Sequence, residues 1–385
     1  MTSPATTLTS LGNLGGSAGG YRLELVRAIA GLDREAWNAV VRHGDGTIFH
    51  TWEWLAAFEE APPGVFEAAH VLAYSGDELV GVCPAYLVRR CPRLDYAMSI
   101  GAPPAMPADR PFLLAHSLAG LCGGPVTPAE HRNAASALVT GLERAAMALG
   151  AWAWGFADIP AGHTAGWLLG QGYAAAHVAT AYRIDTTHAT PAEYWNTLPG
   201  RRRRKLWREQ RRRAEGLVIA ETAPDTGTMV DLTHALLRER GTPTEVFPVE
   251  YLQALRRHLA PYERTVAATD GSGEVVAMFA GWQFGAEWSL WIAGLRTAAY
   301  ASFEPYHSML AHTIETAITS DTRVLNLGRG NAPIKRRYGA VGVPLFLALK
   351  AADRRHDALL HAWCQALEAR SQGSPDGLEV VSRCC

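Results

Sequence analysis

Two stretches, one in each half of the chain, narrow most sharply what it can fold into. Ala69 to Tyr74 and Leu79 to Tyr86 are short apolar runs joined by Ser75-Gly76-Asp77-Glu78. Thr265 to Thr269 and Glu274 to Ala280 are joined in the same way by Asp270-Gly271-Ser272-Gly273. Runs of this length split by Ser, Gly and Asp read as antiparallel hairpins, since Gly tolerates the positive φ of a tight turn. Helices surround each hairpin. Asp33 is an N-cap for a helix through Trp37, Val40 and Val41. His131 to Leu149 puts Ala134, Leu138, Leu142 and Ala145 at helical spacing and closes on Gly150. In the second half Met229 to Glu239, Pro248 to Leu259 and Tyr306 to Ser320 read as helices. The halves match in pattern, not in residues, which implies two related α+β domains. The 385 residues suit two domains of ordinary size. The expected division is a flexible leader over 1–20, domains over 21–187 and 188–352, and a C-terminal helix with a flexible tail over 353–385.

Composition removes several function classes. Hydrophobic residues make up 48% and charged residues 19%, enough for a sizeable core and unlike a disordered chain. The formal net charge of -1 gives no global pull toward nucleic acid or membrane, so any such binding must come from local clustering. The six cysteines, Cys83, Cys91, Cys122, Cys364, Cys384 and Cys385, form no C-x-x-C pair and suit free thiols in a reducing compartment. The first residues lack a basic segment and a continuous apolar core, and no run is apolar enough to span a membrane. The expected location is cytoplasmic. G-x-S-x-G, a P-loop, a dinucleotide-binding glycine motif and H-E-x-x-H are all missing, so neither a metal site nor a nucleotide cofactor is expected.

Charge is instead local. Arg201, Arg202, Arg203, Arg204, Lys205, Arg208, Arg211, Arg212 and Arg213 crowd thirteen residues, with Glu209 the only acid. Arg and Lys favour helix, yet like charges at i,i+4 repel by a few tenths of a kcal/mol each. Such a helix is either solvated or matched to an anionic partner, for which a phosphodiester chain is the obvious candidate. The tryptophans Trp52 and Trp54, and Trp282, Trp288 and Trp291, read as core or pocket wall. His307 at the start of a helix is a general base or a structural hydrogen-bonder. Asp158, just after an apolar strand, is similarly open.

Val324 to Gly339, VLNLGRGNAPIKRRYG, is the densest chemical stretch. It reads as a strand end running into a loop whose glycines let the backbone approach a ligand closely. Four cations, Arg329, Lys335, Arg336 and Arg337, fall within nine residues of it. A strand opening into a Gly-rich basic loop builds an anion or oxyanion site, or merely a solvated turn.

Five segments, in this order, resemble the FemXAB-like branch of the GNAT acyltransferase superfamily. Phe49 to Leu55 is similar to its F-x-x-x-x-W-L segment, and Glu78 to Tyr86 to its "lvGv-P-x-y" strand. Arg201 to Glu215 resembles its basic helix, Glu304 to Leu310 the start of its long helix, and Leu325 to Gly339 its closing G-R-G…K…G element. The resemblance implies α+β architecture with two tandem GNAT-like domains, each a mixed central sheet flanked by helices. It implies transfer of an acyl group to an amine, with aminoacyl-tRNA as donor in the Fem branch and no cofactor. The acceptor would be a cell-wall precursor or a specialised metabolite, as in peptidoglycan or antibiotic biosynthesis. Lys335 matches the family's closing lysine, which stabilises charge in the reaction; Ile334 stands where the family has an aromatic. Lys335, Arg329, Asn331 and His307 are the expected catalytic residues. Gly328, Gly330, Trp52, Trp54, Trp282, Trp291, Tyr306 and Tyr338 are expected at the substrate, and Arg201 to Lys205, Arg208, Arg211 and Arg212 at tRNA. The CoA-binding pattern R/Q-x-x-G-x-G/A finds no glycine pair in Arg296 to Ser302. An acyl-CoA or carrier-protein donor, and an inactive module that binds RNA or precursor, remain the alternatives.

Overall fold

A computed structural model describes residues 17–92, 94–95, 111–116, 119–213, 216–296 and 305–372. They form two compact units, 17–177 with 346–369, and 178–345 with 370–372. The division expected at 187/188 thus lies at 177/178, and the segment from 353 to 369 counts with the first unit.

The first unit holds the strands β1 (Ser17–Ala18), β2 (Tyr21–Val26), β3 (Val65–Ala68), β4 (His70–Ser75), β5 (Glu78–Cys83), β6 (Ala85–Arg90), β7 (Phe112–Ala115) and β8 (Ala153–Pro160). Its helices are α1 (Arg34–His43), α2 (Trp52–Glu60), α3 (Ala134–Ala148) and α4 (His163–Gly170), with α11 (Asp357–Gln372) from the far end of the chain. Asp33 does cap α1, accepting from the Ala36 amide at 2.8 Å. The β4–β5 hairpin turns at Gly76, φ +60°. Its apolar run does not continue as one strand, because Pro84 has no N–H for the ladder. β5 stays in a sheet ordered β1-β2-β4-β5, while β6 joins β3 and β7 in another. Ala134, Leu138, Leu142 and Ala145 of α3 pack on Leu23, Val71 and Leu113, as their spacing predicts. β7 and β8 run parallel, from Phe112↔Ala153 to Ala115↔Phe156. Phe112 of β7 meets the buried Trp363 of α11 at 6.0 Å between ring centroids.

The second unit begins within β9 (Ala174–Asp185). Next come α5 (Pro191–Thr197), α6 (Gly200–Arg213), β10 (Val218–Glu221), α7 (Thr226–Glu239), α8 (Val249–Leu259) and β11 (Val266–Thr269). Then follow β12 (Val275–Phe284), β13 (Glu287–Leu295), α9 (Pro305–Ile318), β14 (Val324–Asn326) and α10 (Ala332–Arg337), with β15 (Val341–Ala351) last. The sheet order is β10-β11-β12-β13-β14-β9, antiparallel except for the parallel pair β13 and β14. Tyr182, Trp288 and Leu325 of the sheet pack with Trp195 of α5, Leu206 of α6 and Met309, Leu310 and Ile314 of α9. The stretch expected as loop up to Gly339 contains α10, for which Pro333 in the first turn and Lys335-Arg336-Arg337 in the last suit the helix ends.

One arginine ties several of these strands. Arg264 donates twice to Glu221 at 2.7 Å, reaches Ser320 and Thr322 at 3.3 and 3.2 Å, and lies 4.0 Å over the Trp288 ring. The indole of Trp288 donates back to the Arg264 carbonyl at 3.1 Å. Replacing Arg264 by Met keeps bulk but removes its hydrogen bonds to Ser320 and Thr322 and its charge over Trp288. We expect it to destabilise the second unit by about 1–2 kcal/mol, read as a lower urea midpoint; an unchanged midpoint would show that solvent replaces the arginine at no cost.

Candidate functional site

The site is built where two parallel strands part. β13 and β14 pair at Glu287↔Val324, Trp288↔Leu325 and Ser289↔Asn326, and there the ladder stops. Leu327 donates to the Tyr182 carbonyl at 2.8 Å and Gly328 accepts from the Tyr182 amide at 3.0 Å, so the chain after β14 follows β9. β13 continues to Leu295 beside β12 alone. Its register against β12 slips at the same level: Ala280 faces Ile292, but Gly281 faces Leu290. Trp291 is therefore the extra residue of a bulge, which bends β13 just beyond its last pair with β14.

Polar side chains brace this point from one side of the sheet. Ser289 donates to Glu287 Oε1 at 2.7 Å and Asn326 Nδ2 donates to the same oxygen at 3.0 Å. Arg183 of β9 stands 3.8 Å from Glu287 Oε2. Asn326 Oδ1 accepts the Gly328 amide at 3.0 Å. Sequence reading missed this group; its only signal was a polar Asn inside the apolar run Val324 to Leu327.

Beyond it the backbone enters the left-handed region three times, at Gly328 (φ +67°), Gly330 (φ +74°) and Asn331 (φ +53°). Two of these are glycines, for which that region carries no steric penalty. Lys335 holds the loop from beneath. It is 4% exposed, and its ammonium donates to the carbonyls of Leu327 at 2.6 Å, Gly328 at 3.2 Å and Arg329 at 2.7 Å. An ammonium has three N–H bonds, and all three have carbonyl acceptors here. The cation expected to face an oxyanion directly thus faces the loop's own carbonyls. The amide of Gly328, a residue expected at the substrate, donates to Asn326 instead.

One turn beyond Lys335, at the C-cap of α10, sits Tyr338. It is fully enclosed, so it lines no ligand surface as the sequence reading expects. Its hydroxyl donates to the His307 carbonyl at 3.0 Å and lies 3.2 Å from His307 Nδ1. His307, on the first turn of α9, is 7% exposed. Tyr194 donates to the Tyr338 carbonyl, and burial pushes the Tyr194 phenol up, keeping it a donor. Tyr306 is half-buried against Phe279, 5.1 Å between ring centroids.

The basic helix shares this unit. Leu206 anchors α6 in the core, while Arg201, Arg202, Arg204 and Lys205 are exposed and Arg203 is half-buried. Arg202 Nη1 donates to the Arg336 carbonyl of α10 at 3.4 Å. Arg208, Arg211 and Arg212 lie on α6, but their side chains fall outside the described residues. So do residues 297–304, where a CoA pattern was sought.

The tryptophans separate. Trp282 and Trp291 lie 5.7 Å apart with their rings tilted, with Phe247 and Tyr251 at 4.8 and 6.0 Å from Trp291, an aromatic cluster at the bulge. Trp52 and Trp54 belong to the first unit. Trp54 is fully buried against Phe49 at 4.7 Å, and the Trp52 indole donates to the Ile29 carbonyl at 3.0 Å. Packing encloses Trp54, whereas Trp52 stays half-buried.

The first unit's parallel pair ends differently. β7 runs into His116, φ +76°, whose Nε2 meets the Phe49 carbonyl at 2.6 Å and whose ring lies 5.1 Å from His50. Gly120 presses on it so closely that a Cβ there would sit 1.9 Å from the His116 ring. Asp158, φ +56°, is buried in β8, and its carbonyl accepts from the Gly123 amide at 3.3 Å. Burial, and then the neighbouring His116, hold His50 well below the usual histidine value.

The model of the family described as acetyltransferase (GNAT) domain matches residues 200–336. No curated protein matches the chain by sequence. Among solved structures, FemX superposes with a TM-score of 0.60 at 11% identity, covering 86% of this chain and 98% of FemX. L-PGS from Bacillus licheniformis gives 0.54 at 13%, covering 87% and 96%. A tandem GNAT protein from the clavulanic acid biosynthesis pathway gives 0.51 at 12%, covering 86% and 99%. The fold is therefore two tandem GNAT-like units, the fold also seen in FemX. Among the described residues no helix is long and apolar enough to cross a membrane, and no group of three metal-ligating side chains occurs.

Two outcomes follow. Lys335→Ala removes a cation shared by three carbonyls and should cost about 1–3 kcal/mol while making the 327–331 loop more open to protease; unchanged proteolysis would remove the clamp. His50, held neutral in the fold, takes no proton where the unfolded chain does. Its contribution is full above its ordinary 6.5 and shrinks as pH falls below that. The first unit should lose stability between pH 6.5 and about 5, and His50→Asn should make that loss shallower; parallel pH profiles for the two proteins would contradict it.

Proposed function

We propose that the chain is an amide-forming N-acyltransferase that moves an aminoacyl group from aminoacyl-tRNA to an amine acceptor, a cell-wall precursor or a specialised metabolite. The observation that carries this is the parting of β13 and β14 at the Trp291 bulge, beside a loop clamped by Lys335 and next to a basic helix. The parted strands receive the acyl group. The exposed cations of α6, with Arg336 and Arg337, take the phosphates of the donor's end. The reaction belongs in the cytoplasm, where charged tRNA is made.

In this reading the amine attacks the ester carbonyl and a negative charge grows on its oxygen. Lys335 acts through the peptide groups it holds. Pulling electron density toward the carbonyls of Gly328 and Arg329 strengthens the following amides, of Arg329 and Gly330, as donors. Those amides stabilise the oxyanion, a kind of contact worth about 3–4 kcal/mol of barrier. Arg329 and Asn331 orient the substrate, and the Trp282–Trp291 cluster forms the wall. His307 accepts the amine proton as the N–C bond forms. That proton leaves with the ribose oxygen as the ester C–O bond breaks. No covalent enzyme intermediate is required.

An acyl-CoA donor is the second reading, favoured by the acetyltransferase family match over residues 200–336. Purified protein incubated with charged tRNA, acyl-CoA and a panel of amines, with and without RNase, separates the two by the masses of the products. Product formed only from acyl-CoA and untouched by RNase would end the tRNA reading. Salt-sensitive RNA binding with no product from any donor would leave a binding module. Replacing Arg201, Arg202, Arg204 and Lys205 by Ala should weaken tRNA binding and flatten its log–log salt slope by up to about 3; an unchanged slope places the RNA elsewhere.

A further inference from the structure

We infer that Tyr338 is a positioning residue that fixes the tautomer of His307. The inference rests on the reading of His307 as the base. The Tyr338 hydroxyl carries one hydrogen, and it is donated to the His307 carbonyl at 3.0 Å. A carbonyl cannot donate in return, so that hydrogen is committed. The contact at 3.2 Å between the same hydroxyl and His307 Nδ1 is then a hydrogen bond only if Nδ1 is the donor. Neutral His307 therefore carries its proton on Nδ1 and its lone pair on Nε2. Free histidine in water prefers the reverse, so the fold is selecting against the intrinsic tendency. Nε2 is the atom that accepts a proton in the proposed transfer.

The surroundings hold the phenol in place. Tyr338 is fully buried, its ring 5.8 Å from that of His307 and 6.2 Å from that of Trp195. Its carbonyl receives the Tyr194 hydroxyl. Gly339 leaves room for that contact, since a Cβ there would lie 2.7 Å from the Tyr194 oxygen. Lys335 and Tyr338 are three residues apart, so one short helix and its C-cap carry both the loop clamp and the tautomer lock.

The test uses the full chain labelled with 15N-histidine. Long-range 1H–15N correlation at pH 8 reports which ring nitrogen of His307 is protonated, and His307→Gln assigns the signal. The wild-type spectrum should show Nδ1–H, and Tyr338→Phe, which keeps the ring and removes the hydroxyl, should move His307 toward Nε2–H. A wild-type Nε2–H pattern, or a pattern that Tyr338→Phe leaves unchanged, overturns the inference; the wild-type spectrum decides even if the variant fails to fold. With charged tRNA and the amine panel, His307→Gln should lower kcat by about 100-fold, and Tyr338→Phe by a smaller factor with little change in KM. Normal turnover of His307→Gln beside an Nδ1–H wild type would end the catalytic reading of His307 while the tautomer assignment stands.

Discussion

A buried ammonium needs acceptors, and in this protein the second unit is shaped around supplying them. Lys335 is held by carbonyls rather than by a carboxylate among its hydrogen-bond partners described above. Those carbonyls must converge, so the chain after β14 has to curl, and the curl needs left-handed residues at Gly328, Gly330 and Asn331. The curl draws the chain toward β9 and away from β13, which is what opens the sheet. Desolvating the cation without these partners would cost several kcal/mol. The loop's shape and the lysine's burial are thus one feature seen from two ends.

The sequence made some of this legible and hid the rest for physical reasons. Hairpin turns and helical faces are local, so the Gly76 turn, the Asp33 cap and the inward face of α3 could be read directly. The proline at 84 could have been read too, since it cannot sit inside a ladder; the apolar run around it masked the break. Lys335 stood out as a charge, but its direction depends on carbonyls that only the folded loop brings together. Tyr338 read as a ligand contact because an aromatic next to cations suggests one. Its enclosure comes from Tyr194 and Trp195, more than a hundred residues away in the chain. The Glu287–Ser289–Asn326 group could not be found from spacing, because strands distant in sequence supply it.

The two units use one topology to different ends. Each has an antiparallel hairpin and a parallel pair, and in each the chain takes a left-handed turn at or soon after that pair. In the first unit the turning residue is His116, whose own ring meets the Phe49 carbonyl. In the second the turn is made chiefly of glycines, and the nearby cation is recruited from below. A duplicated plan thus supports packing in one copy and leaves a loop of amides in the other.

The first unit is discontinuous: its helix α11, carrying the buried Trp363, is supplied by the far end of the chain. During synthesis, every residue of the second unit up to 345 leaves the ribosome before that helix does. The first unit must therefore wait, incompletely covered, while the second becomes able to fold. Assembly runs from the inserted portion outward, and the emergence of α11 lets the first unit close its core.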